Sequence, residues 1–102
     1  MPQRARRNRR TPDVAIRAGV TVLQAIVGVY VATRRKNRSQ SDVASDIGTT
    51  QAAVSDLETG KRFISVDVAR EIFGTVGIAH SIELADLYGA LHRLAKAHDR
   101  AR

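Results

Sequence analysis

The chain of 102 residues has no Cys and no Trp, only two Pro, two Phe and two Tyr, and 10 acidic residues against 17 Lys and Arg. Without Cys there is no disulfide framework and no thiolate zinc site, and nothing places the chain outside a reducing cytoplasm. With aromatics at 4% of residues, aliphatic side chains must fill whatever core the 43% apolar fraction builds. The length fits one domain rather than two independent cores. The shortage of acid leaves a formal net charge of +7, which points to a polyanionic partner without separating DNA, RNA and anionic membrane.

That charge lies in blocks. Arg4, Arg6, Arg7, Arg9 and Arg10 precede the first acid, Asp13, and suggest a disordered basic arm over residues 1–11. Arg34, Arg35, Lys36 and Arg38 form a second block and Lys61 with Arg62 a third. The segment between them, residues 39–60, holds four acids and no base. Ala18 to Thr33 carries no charge at all. As a helix it would span ~24 Å, short of a ~30 Å hydrocarbon core, and it ends in Arg-Arg-Lys rather than a small-residue cleavage site. It reads as a buried helix, with no membrane role expected.

Thr11-Pro12-Asp13 reads as a helix start. Ile16, Val20, Leu23, Ile26 or Val27, Tyr30 and Val31 recur at spacings of three and four through Lys36, which predicts an inward apolar face. Gly19 and the β-branched residues predict a break near Gly19. Asn37 is the expected left-handed cap. Ser39 caps a short helix over 40–47 and Thr50 a second over 51–58, with Gly48 at the turn between them and Thr59-Gly60 ending the pair, a helix-turn-helix spacing. Ala44 must be small where two helices approach closely, and Gly48 must permit a conformation that a Cβ disfavours. Ser65 then caps a helix to about Phe73 or Val76, closed by Gly74 and Gly77. Ser81 caps a last helix to about His98, whose Leu84, Leu87, Leu91 and Leu94 form an a/d stripe that packs inward or joins two chains.

Residues 39–61, with Gln40, Ala44, Gly48, Glu58 and Gly60 in register, resemble the Cro/C1-type (XRE family) helix-turn-helix, and Gly48-Thr49-Thr50-Gln51 resembles the lambdoid phage repressors. The resemblance implies an all-α, lambda-repressor-like bundle of about five helices, with the arm at 1–11, the DNA-binding domain at 12–78 and a packing or dimerising helix at 79–102. It also implies structural roles for Ala44, Gly48, Val54, Leu57, Glu58 and Gly60. The family's base-reading positions fall on Thr50, Gln51, Ala52, Ser55 and Asp56. Its phosphate contacts fall on Ser39, Gln40, Thr49, Lys61 and Arg62, with Arg34, Arg35 and Arg38 as further candidates. The helix-1 Arg that pairs with the family's Glu aligns with Thr33, so either Arg34 substitutes as the partner of Glu58 or helix 1 is shifted by a residue.

The function so implied is a sequence-specific double-stranded DNA-binding transcriptional regulator, a phage or prophage repressor or Cro-like protein, acting in the cytoplasm at its operator. The alternative is an antitoxin that binds a toxin and autoregulates. A homodimer through the C-terminal helix is open. No enzyme activity, metal, cofactor or small-molecule ligand is expected: His92 and His98 stand six apart on different helix faces, His80 lies alone, and no Cys completes a site.

Overall fold

A computed structural model describes the backbone of residues 2–100 and the side chains of residues 15–99. Five helices follow one another, α1 (Pro2–Arg35), α2 (Gln40–Ile47), α3 (Gln51–Thr59), α4 (Val66–Thr75) and α5 (Ser81–Arg100), and the described residues contain no strand. α2, α3 and α4 form the centre. α1 packs on α3, and α5 packs on α4 and on α1.

The short helices begin and end where local chemistry requires. At the start of α2, Asp42 N–H donates to Ser39 Oγ at 3.0 Å and Ser39 N–H donates back to the Asp42 carboxylate at 3.2 Å, a reciprocal capping box. Gly48 ends α2 at φ 70°, and Thr49 N–H donates across it to Ala44 O at 2.9 Å. This left-handed closure turns the chain straight into Thr50, whose hydroxyl accepts from Ala53 N–H at 3.1 Å and opens α3. Ser65 caps α4 in the same way. Gly77, at φ 83°, closes α4, while Gly74 lies inside that helix rather than ending it.

α1 departs from expectation in four respects. It is continuous through Gly19, because packing of Val20, Gln24, Val27 and Val31 against the bundle outweighs the ~1 kcal/mol helix cost of one Gly. It runs back to Pro2, past the start expected at Thr11. Arg and Ala, which dominate residues 4–10, are good helix formers. The side chains of Arg4, Arg6, Arg7, Arg9 and Arg10 lie outside the described residues. Its left-handed terminal residue is Lys36 (φ 57°), not Asn37. Finally, Ile16, Leu23, Ile26 and Tyr30 of the expected inward face are exposed. Nearly every position from 18 to 33 is apolar or small, so spacing alone could not select the buried stripe.

The selector is Gly28. A Cβ there would stand 2.2 Å from the backbone oxygen of Glu58 and 2.7 Å from that of Leu57. The missing side chain lets α1 lie directly on the C-terminal turn of α3, and the residues flanking it on that side are the buried ones. The core then joins Val27 and Val31 to Val43, Ala44, Val54, Leu57, Ala69, Ile72, Phe73 and Tyr88. Tyr88 is fully buried, yet its hydroxyl accepts from Ile64 N–H at 3.0 Å, and its ring meets Phe73 edge-on. Burial pushes its phenol pKa up, with the Ile64 bond opposing.

The expected Leu stripe of α5 is split. Ala85, Tyr88 and Leu91 face the core and Leu84 packs against it, whereas Leu87 and Leu94 are each 44% exposed. The inward stripe is set by Tyr88, one position away from the Leu spacing. α5 also starts at Ser81 itself, with Leu84 N–H bonded to His80 O.

Candidate nucleic-acid interface

The turn between α2 and α3 brings two amides and an ion pair into one line. Glu58, near the end of α3, has a side chain only 6% exposed. Arg35, from the last turn of α1, grips it with two parallel bonds, Nε to Oε2 at 2.7 Å and Nη2 to Oε1 at 3.0 Å. This forked geometry is what a guanidinium offers and an ammonium does not. Its hydrogen bond to Glu58 raises the Arg35 pKa further above its already high ordinary value. The partner expected for Glu58 was Arg34; the structure places Arg35 there. The helix-1 register is thus two residues later than Thr33, and Arg34 instead donates to Gly77 O at 2.8 Å. Gly28 and Arg35 lie seven apart, two turns along one face, so the close approach and the ion pair fall on the same side of α1.

From Glu58 the line continues outward. Gln40, the first residue of α2, donates its Nε2–H to Glu58 Oε1 at 3.0 Å. Gln51, the first residue of α3, donates its Nε2–H to Gln40 Oε1. A chain of side chains therefore runs from α1 through α3 and α2 to the exposed start of α3. The Glu58 carboxylate and the Gln40 oxygen are both engaged, which fixes rotamers that would otherwise be free. The Gln51 amide keeps its oxygen and one N–H for solvent or a ligand.

Around Gln51 the surface is uncharged. Thr50, Gln51 and Ala52 are exposed and Ser55 is half-buried. Asp56 is turned aside: its carboxylate accepts from Arg62 Nε at 2.7 Å, and its own side chain is 14% exposed against 74% for Arg62. Of the residues expected along phosphates, Lys61 and Arg62 are exposed beyond the end of α3, and Ser39 and Thr49 flank α2. The Ser39 hydroxyl is already occupied as a cap acceptor. The second basic block is largely tied into the fold. Arg35 holds Glu58, and Arg38 donates to Thr75 O at 2.8 Å and pairs with Asp46. Among the described residues no group of three or more His, Cys, Asp and Glu could hold a metal ion. His92 stacks on Phe63 with ring centres 4.6 Å apart, and burial, aided by Lys96, lowers its pKa.

Two capped helices joined through a left-handed Gly, braced by an Arg–Glu pair and presenting a polar helix start, are matched by a helix-turn-helix family model over residues 31–81. The chain belongs to the Cro/C1-type helix-turn-helix family. It is accordingly a DNA-binding helix-turn-helix regulator whose partner is double-stranded DNA. No curated protein and no solved structure matches it. The family match begins inside α1 and ends at the first residue of α5. The Cro/C1-type unit is thus α2 to α4 with the end of α1, and most of the two long helices lies outside it.

Proposed function

We propose that the protein is a sequence-specific transcriptional regulator that inserts α3 into the major groove and acts by occupying an operator. The observation that carries this reading is the Gln51 amide, exposed at the start of α3 and aimed by its bond to Gln40. A Gln with one oxygen and one N–H still available matches the paired donor and acceptor on the major-groove edge of adenine. Thr50, Ala52 and Ser55 share its surface, and the short Ala52 suits a thymine methyl. Asp56, held by Arg62, serves better to orient that arginine toward phosphate than to read a base itself. Gln40 and the start of α2 face a phosphate, where the helix dipole favours an anion, and Lys61 and Arg62 meet the backbone beyond α3. The basic residues of the N-terminal block add affinity that does not depend on sequence. A repressor or Cro-like protein is the form adopted, since occupancy requires no surface beyond this one. An antitoxin would need residues for a toxin, and none is assigned.

The test is selection of a binding sequence from a random duplex library, followed by affinity measurements on that sequence and on a scrambled duplex. Gln51→Ala is expected to lose ~1–3 kcal/mol on the selected site and to relax preference at one or two bases. An equal loss on both duplexes overturns a base-reading role for Gln51.

A further inference from the structure

We propose that the outward face of α1 is a self-association surface, covered in solution by a second copy of this chain. α1 is apolar on two opposite sides. Its inward side, Val20, Gln24, Val27 and Val31, is buried against the bundle. Roughly half a turn away, Val22, Ile26 and Val29 are 55%, 56% and 64% exposed, and Leu23 and Tyr30 flank them. No charged residue interrupts the helix from Ala18 to Thr33. A helix apolar all round is ordinarily buried on every side rather than on one.

The exposed face does not stop at α1. Val22, Ala25, Ile26, Val29, Tyr30 and Thr33 line one shallow depression, and Tyr30 also lines a second with Ile78, Leu84 and Leu87, where His80 and Glu83 form its polar edge. Leu94 lies two turns beyond Leu87 on the same side of α5. Half-exposed side chains of this size and number add up to on the order of 600 Å², the upper end of what a monomer ordinarily leaves open. With the small residues between them this approaches the ~800 Å² per partner of a stable interface.

The longer stretch that contains the α1 part of this face, Ala15–Arg35, is by length and composition apolar enough to cross a membrane. A bilayer is nevertheless the poorer occupant. Enclosing the helix in lipid would strip Val27, Gly28 and Val31 from the core and pull Arg35 from Glu58. A helix lying on a lipid surface carries its Lys and Arg on the opposite face, whereas here the opposite face is the protein's own core. A second copy matches the surface chemically, and a two-fold axis near Ile26 makes it self-complementary, with Val22 of one copy beside Val29 of the other.

The absence of Cys from the chain supplies a clean test. The full chain is expected to be dimeric by light scattering without DNA. Ile26→Cys, near the axis, is expected to give a reductant-sensitive covalent dimer on mild oxidation. Ile82→Cys, on an equally exposed residue about 140° around α5 from Leu87, is expected not to do so. Ile26→Asp is expected to weaken the dimer by on the order of 30-fold or more with an unchanged helical spectrum. The proposal is overturned if the native chain is monomeric at every concentration reached, or if both cysteines cross-link alike. It is equally overturned if Ile26→Asp stays dimeric, or if a monomeric chain sediments with vesicles of mixed zwitterionic and anionic phospholipid. No arm contains DNA, so failure here is separate from failure of operator reading.

Discussion

On the side of α1 that meets α3, helix and helix are in backbone contact, and the residues there admit no change: Gly28 lies against the Glu58 carbonyl and Arg35 forks onto the Glu58 carboxylate. On the other side, Val22, Ile26 and Val29 are each more than half exposed. The two faces are drawn from the same residue types, and by hydropathy they are interchangeable. What separates them is one absent side chain and one charge pair. Apolar content decides that a helix will be buried; a small residue and a directional bond decide which way it faces.

That contrast can be broken from the inward side first. Gly28→Val is expected to cost more than about 4 kcal/mol, since the new atoms meet backbone that cannot rotate away; thermal or urea unfolding measures it, and a near-native midpoint would mean that α1 crosses α3 elsewhere. Arg35→Ala comes next, at roughly 3 kcal/mol, because it leaves the nearly buried Glu58 carboxylate without its counter-charge. The same variant should loosen Gln40 and Gln51 and so weaken operator binding beyond the stability loss, which a binding titration on the folded fraction would show. From the outward side the effect is smallest. Val29→Ser, at a dilution where the chain is monomeric, is expected to stay within ~0.5 kcal/mol of the native chain by the same unfolding measurement.

The helix-turn-helix segment was legible because its signals are local. Ser39, Gly48, Thr50 and Gly60 each act within four residues, through a cap or a left-handed turn, and the sequence places every one of them at its observed position. The long helices were less legible because their signals are long-range. Gly28 reads from sequence as a residue that weakens helix, and its purpose is visible only once residue 58, thirty positions away, lies against it. The α5 stripe misleads for a related reason. Four Leu at heptad spacing suggest one seam, but the single large side chain that fits the core, Tyr88, rotates the helix so that Leu84 and Leu91 turn in while Leu87 and Leu94 turn out. At the proposed reading surface, the candidate residues came from the resemblance. Their mutual bonds, Gln51 to Gln40 and Asp56 to Arg62, required coordinates.

The contact at Gly28 also has a genetic meaning. Every missense change at that codon introduces at least a Cβ, so none is silent toward the fold. In a screen for loss of regulation, position 28 is expected to return severe alleles through its contact with the backbone of Leu57 and Glu58 at the end of α3. A hit map compiled from such a screen would then trace how the domain is held together as well as where it touches DNA.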